Sequence, residues 1–330
     1  MKKRNLIFSM ALLLVLALFL AACGGNNEEG SANEGDSEAP EFLSMLTGGT
    51  SGTYYPLGGA MAKIISDETG IETTAQSSNA SADNVVALQE EEAELAFVQT
   101  DVVANAIEGI NSFEDNPVDN VQAIGSLYPE TIQIVTTKDS GITSVEDLAG
   151  KTVSVGAPGS GTYVNAEQIL EVHGMSMDDI EAQNLDFGES TGGIQDGNID
   201  AAFITAGTPT GAVEGLSAQV DVGIVPIAQD KVDALVEEYP YYAGDTVSAG
   251  TYGVEEDVPT VAVLAMLAVS DQLSEEVVYD ITKAIYENTD KISHDKAEFI
   301  TKDSALDGIG IDLHPGAKKY FDEEGISASE

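Results

Sequence analysis

The tetrapeptide Ser-Gly-Thr-Tyr occurs twice, as Ser51–Tyr54 in LTGGTSGTYYP and as Ser160–Tyr163 in SVGAPGSGTYVNA. Each copy follows an apolar run and a glycine-rich turn, and each opens a helix-like pattern. FLSML and KTVSV read as strands, and TGGTSG and GAPGSG as turns. Thr53 onward, helped by Pro56 in the first turn, and Thr162 onward read as helices closing near Gly70 and Gly174. The likeness extends further. ELAFV starts at Glu94 and DAAFI at Asp200, 43 and 40 residues after Ser51 and Ser160. The stretches leading into them, ALQEEEAELAF and GIQDGNIDAAF, align with Gln89 over Gln195. Two matched elements at nearly equal spacing describe two similar βα units. The duplication therefore predicts two lobes, each offering a helix start to one shared cleft.

Alternating strands and helices give an α/β body with mostly parallel sheets. Ligands of open α/β sheets sit beyond the carboxyl ends of the strands. Both tetrapeptide loops, QTD (Gln99 to Asp101) and TAGTP (Thr205 to Pro209), belong at such edges. The first backbone N–H groups of a helix lack internal partners and carry the positive end of its dipole, so two such starts suit an anion. The chain supplies little else for that purpose. Its formal net charge is −44, and Arg4 is its only arginine. A carboxylate must then be held without the usual guanidinium fork. The candidates are the loop residues Gly49, Thr50, Ser51, Gly52, Thr53 and Tyr54 in the first lobe, with Ser160, Gly161 and Thr162 in the second. Ser81, Asn84, Gln99, Thr100 and Thr205 complete the set. Tyr54 either meets the ligand or packs the helix start, and Ser81 either lines the cleft or caps a helix. Each glycine loop, taken alone, is equally a turn that serves chain reversal.

The same acidity excludes nucleic acid and anionic membrane surfaces as electrostatic partners. It fits a salty or alkaline exterior, or simply an acidic secreted protein. Residues 1–23 have the layout of a secretory signal peptide: a basic MKKRN, the apolar run Leu6 to Ala22, then LAAC. The run is short for a membrane span, which needs roughly 20 residues. The expectation is a lipoprotein signal ending at a lipidated Cys23, and an extracytoplasmic body held to the outer face of the cell membrane through that lipid alone. Cys23 is the only cysteine, so no intrachain disulfide or thiolate metal site can form. Residues 24–41 are acidic and aperiodic and read as a disordered tether.

The residues also resemble a family. GGTSGTYYPLGGAMAKII, SADNVVALQEEEAELAFVQTDV, DLAGKTVSVGAPGSGTY, GNIDAAFITAGTP, AGTYGVEEDVPTVAVLAMLAVSDQLSEEVVYDITKAIYEN and LHPGAKKYFDEEG resemble the TAXI-type solute receptors of tripartite ATP-independent periplasmic (TRAP) transporters. The resemblance covers nearly all of residues 42 to 325. It implies a two-lobed, hinged periplasmic-binding-protein-like (Venus-flytrap) fold that passes a small organic anion, glutamate or a related dicarboxylate, to a membrane permease. It further implies a discontinuous first lobe, residues 42–127 plus 228–330, and a second lobe at 128–227. The connections would lie at YPETIQI (Tyr128 to Ile134) and VGIVPIAQ (Val222 to Gln229), extended stretches in which Pro129 and Pro226 argue against helix. Neither a cofactor nor a metal is expected, and the body is expected to be a monomer.

Other signals are weaker. TVAVLAMLAVS (Thr260 to Ser270) is a buried strand. Ser274 caps a helix whose Val277, Val278, Ile281, Ala284 and Ile285 form a core stripe. Asp147 to Thr152 ends like a phosphate-binding loop but lacks its first glycine, and Gly159-Ser160-Gly161 lacks the flanking glycines of a nucleophile elbow. His173, His294 and His314 have no metal-ligand spacing. Phe113 to Asn120 reads as a solvated loop. Two other readings stand beside the receptor: a receptor or sensor for a different system on the same fold, and an enzyme on a two-lobed α/β scaffold. No nucleophile–base pair or metal set supports the enzyme.

Overall fold

The computed structural model describes residues 39–327. The expected signal, Cys23 and most of the tether lie outside the described residues. Strand β1 (Phe42–Leu46) buries Leu43 and Met45 on alternate positions, as a half-covered strand should. It leads through the first glycine loop into α1 (Tyr54–Thr69), closed by Gly70 in the left-handed conformation. Then follow β2 (Glu72–Gln76), α2 (Ser81–Gln89), β3 (Leu95–Gln99) and α3 (Thr100–Glu108). The five residues of β3 are all buried, the pattern of a strand covered on both faces. β4 (Val121–Thr137) is 17 residues long.

The second unit repeats the order: β5 (Thr152–Ser154), the second glycine loop, α4 (Gly161–Val172), β6 (Glu181–Gln183), α5 (Phe187–Gln195), β7 (Ala201–Ala206) and α6 (Gly211–Ser217). β8 (Val222–Val225), α7 (Gln229–Glu238) and β9 (Ala243–Val247) precede β10 (Val258–Ser270). The chain returns to helix in α8 (Glu275–Tyr286) and α9 (Pro315–Glu324). Ser274 caps α8 by accepting from the Val277 amide, and the expected apolar stripe is buried.

The strands form one mixed sheet in the order β2-β1-β3-β10-β4-β7-β5-β6, with β8 on β4 and β9 on β10. The β2-β1-β3 and β7-β5-β6 runs are parallel, and the joins through β10 and β4 are antiparallel. The two halves of this sheet have separate cores, the second made of two clusters, one on each face. One gathers residues from Leu43 to Tyr128 and from Ala265 to Phe321. The other half buries Ile132, Ile134, Phe203 and Val225 with α4 and α7 on one face, and Val135, Ile204, Val213 and Ile224 with α5 and α6 on the other.

β4 and β10 are therefore the two strands that pass between the cores. Along β4 the change falls between Tyr128 and Ile132, within the stretch expected to connect the lobes. Along β10 it falls between Val263 and Ala265, where the register against β4 also shifts, opposite Pro129. β8 pairs with β4, and Val232, Leu235 and Tyr242 bury into the second core, so the stretch from 228 to 263 packs with the second half.

Candidate ligand-binding site

Both glycine loops, with α1 and α4 behind them, meet the ends of β3 and β7 around one cavity of about 100 Å³. Its walls carry Gly49, Gly52, Thr53, Tyr54, Ser81, Gln99, Ser160, Gly161, Thr162 and Thr205, all candidates from the sequence. Gly48, Ser78 to Ala80, Glu130, Ala157, Asp186, Phe187 and Ala206 also line it. Five helix starts contribute residues to its wall, those of α1, α2, α3, α4 and α5. Asp186 caps α5 by accepting from the Glu189 amide. At α2 the Ala82 and Asp83 amides go to the Gly159 carbonyl, and at α3 the Asp101 carboxylate takes the first amides. The starts of α1 and α4 receive no side-chain cap, and uncapped N–H groups at a cavity wall are hydrogen-bond donors available to a ligand.

The two halves interlock at the loops. Ala82 and Asp83 of α2 donate backbone hydrogen bonds to the Gly159 carbonyl, at 2.9 and 3.4 Å. In the mirror arrangement, Ala212 of α6 donates to the Ser51 carbonyl at 3.1 Å. Thr53 donates its hydroxyl to the Gly207 carbonyl at 3.3 Å. The approach is close: a Cβ at Gly161 would overlap Gln99 Oε1, and one at Gly188 would come within 2.9 Å of Ser51 Oγ, so either side chain would have to move.

Several candidates take other places. Thr50 and Ser51 line an adjoining cleft that shares Gly52 and Thr53 with the cavity. Asn84 is fully buried away from the cavity, donating to the Thr47 and Phe97 carbonyls at 2.7 Å each and so tying the ends of β1 and β3 together. Thr100 is buried as the first residue of α3 and does not line the cavity. Ser81 is the first residue of α2, not its cap. Its hydroxyl accepts from the Gln99 amide at 3.1 Å. Tyr54 packs at a tilt against Phe97, with ring centroids 5.1 Å apart, and also faces the cavity.

Glu130 is the residue that sequence reasoning missed. It stands on β4 where the chain passes between the cores, 2% exposed, and its Oε2 accepts from the Tyr54 hydroxyl at 2.6 Å. Burial pushes its carboxyl well above the usual carboxylate range. The Tyr54 hydroxyl works against that shift and the nearby Asp101 adds to it. Burial also raises Tyr54, and Glu130 raises it further. Asp101, at the start of α3, is pushed up to about 7 by burial, although Asn165 of α4 donates to it at 3.0 Å. Gln99 Oε1 and Ser160 Oγ are buried in the wall without partners. A lone acid inside the apolar run YPETIQIV was the one available sign of Glu130.

Glu130 and Asp186 are the charged groups among the described lining residues, and no lysine, arginine or histidine joins them. No cluster among the described residues has the composition of a metal site. No described helix is long and apolar enough to cross a membrane.

The NMT1-like family matches residues 45–325. The fold is similar to that of the alkanesulfonate-binding protein SsuA from Xanthomonas axonopodis pv. citri bound to MOPS. That likeness has a TM-score of 0.52 at 14% identity and covers 86% of this chain and 84% of that one. A protein from Bordetella bronchiseptica RB50 gives 0.52 at 17%, covering 86% and 82%. The zinc-bound ligand-binding component of an ABC-type import system from Staphylococcus aureus gives 0.50 at 10%, covering 87% and 94%. At these identities the likeness is one of fold, the two-lobed fold of periplasmic solute-binding proteins.

Proposed function

The chain belongs to the NMT1-like family, and from that premise we propose that it is an extracytoplasmic solute receptor of the TAXI type. It captures a small carboxylate-bearing solute and delivers it to a TRAP-type membrane permease. One observation carries this reading: both glycine loops, one from each half, line a single cavity into which the uncapped starts of α1 and α4 present donors. Such a cavity holds a carboxylate without arginine, because backbone N–H groups and the hydroxyls of Ser160 and Thr162 supply the hydrogen bonds. The lobes are the two cores with their helices, and β4 and β10 are the hinge. A ligand touching both lobes favours the closed form by its differential contacts. The receptor works as a monomer, held at the membrane face through Cys23.

Mass spectrometry of the solute that co-purifies with the body from residue 39 onward tests this reading, together with binding by loop variants. Thr53→Ala, which removes the bond to Gly207 across the halves, and Thr162→Ala should each weaken binding of that solute by roughly 10- to 100-fold, the second because a hydroxyl bonded to a charged group contributes about 1.5–3 kcal/mol. Thermal melting separates lost binding from lost folding. If Thr162→Ala leaves affinity untouched while Thr53→Ala abolishes it, the second loop is only a turn. If a bound solute is returned chemically changed, the protein is an enzyme.

A further inference from the structure

A second space opens beside the cavity between the glycine loops. This cleft measures about 700 Å³ and shares only Gly52 and Thr53 with the cavity. Its volume falls in the range of small-molecule sites, roughly 300–1,000 Å³. Thr50, Ser51 and the segment 293–296 bring it walls from the first half, and α5 and α6 bring walls from the second. Lys296 lines it and is the one buried lysine among the described residues, 9% exposed. Its stem lies against Gly207 across the junction, where an added Cβ would meet Lys296 Cγ at 2.8 Å. Its Nζ sits 4.7 Å from the centre of the Phe299 ring. No described carboxylate comes within 4.0 Å of that ammonium. Burial draws the ammonium below its usual value, while Asp245 of β9, Glu298 and Asp295 work against that from beyond contact distance. A charge so deeply buried without a counter-ion is costly, and an anion in the cleft would supply one.

We propose that this cleft is a second ligand site and that it takes a small monocarboxylate with a short apolar body. The carboxylate pairs with Lys296. Further donors line the same space. The Lys296 backbone amide donates to His294 Nδ1 at 3.1 Å, so the neutral ring carries its proton on Nε2. Burial holds that ring toward its neutral form. Thr50 and Ser51 add hydroxyls, and Pro56, Pro209 and Leu216 add apolar surface. A carboxylate has two oxygens to share among Lys296, His294 and the hydroxyls. A halide offers no body to the proline and leucine surface. A dianion would set its second charge against Asp295 and Glu214, which also line the cleft, with no second ammonium to meet it. Because the walls come from both halves, an occupant braces them in this arrangement, whatever the cavity holds.

The experiment titrates isotope-labelled protein with sodium butyrate at constant ionic strength and follows the backbone amide shifts. They should change at Ser51, Gly192 and Lys296 and stay fixed at Gln99, Ser160 and Thr162. Butyramide, the neutral counterpart, should bind at least tenfold more weakly, as should succinate and chloride. Lys296→Met keeps an apolar stem and removes the charge, and should weaken butyrate at least tenfold. Lys296→Arg should hold butyrate within about threefold. If Lys296→Met melts lower than wild type, the wild-type shift map decides alone. Shifts centred on Gln99 and Ser160 would put the carboxylate in the cavity and overturn the second site. Butyrate binding unchanged in a stable Lys296→Met would overturn it too, as would equal binding of butyramide or succinate, or no saturable shift with butyrate in the tens of millimolar.

Discussion

The backbone amide of Ala82 lies 2.9 Å from the carbonyl of Gly159 and donates to it, so the glycine loop of the second half completes a helix start of the first. The reciprocal bond from Ala212 to Ser51 does the same in the other direction. Closure of the cavity is thus written into the repeated unit itself. Each loop both lines the cavity and clasps the opposite half.

Gly161→Ala should hold the halves apart. The added methyl overlaps Gln99 Oε1 and lies 2.9 Å from a Val102 methyl, across the junction and not within its own half. Alanine is otherwise the better helix former, by up to about 1 kcal/mol. The variant should therefore melt no lower than wild type, bind its co-purifying solute at least about tenfold more weakly, and scatter with a larger radius of gyration. Wild-type affinity in this variant would show that closure does not depend on that contact.

Gly316→Ala should have the opposite profile. Its Cβ would overlap the Glu275 carbonyl and meet the Tyr279 amide at 2.6 Å, where α9 crosses α8. Both obstacles are backbone and cannot swing away, so overpacking should cost about 1–3 kcal/mol. Melting should fall while affinity at 25 °C stays within about twofold, because the crossing is remote from the cavity. A variant that melts like wild type would mean the helices separate freely.

Asp101 makes stability depend on pH. Its carboxyl titrates at about 7 when folded against 3.8 ordinarily. The folded protein therefore holds the extra proton between those values, and this contribution to stability is full below the lower value and lost as pH rises through about 7. Asp101→Asn keeps an acceptor for Asn165 and removes the loss. Relative to wild type, its melting temperature should be unchanged near pH 4 and higher by a few degrees, on the order of 2–4 °C per kcal/mol, near pH 8. A constant difference across that range would locate the pH dependence elsewhere.

Salt should stabilise the protein. With 57 acidic and 13 basic residues, carboxylates face one another without compensation over much of the surface. Sodium chloride raised from about 0.01 to 0.5 M shrinks the screening length from about 30 Å to under 10 Å. Melting temperature should climb through that range, and a flat curve would show that the acidic surface carries no net strain.

Much of this was legible beforehand because it is local. Strand, glycine turn and helix start are set by neighbouring residues, so the repeat around Ser51 and Ser160 placed both loops at one cavity. Two things were not local. Glu130 reads as an ordinary polar residue until tertiary packing buries it against Tyr54. The apolar run of β10 is too uniform to show that its first residues serve one core and its last another. Asn84 is ambiguous for a related reason: an amide near a cleft serves as well for tying β1 to β3 as for holding a solute.

The position of β10 also sets an order of assembly. In the sheet of the first half it lies between β3 and β4, yet it follows them in the chain by the whole second half. A chain that emerges N-terminus first therefore carries β3 with an open edge, which invites wrong pairing. That edge waits until residues 138–257 have emerged as well. The second half lies between the two crossing strands and can gather much of its own core in that interval. The first half closes only when β10 slides between its two waiting neighbours. The last strand to arrive is also one of the two that pass between the cores, so, on the receptor reading proposed above, the joint between the halves is completed only after both halves have been laid down.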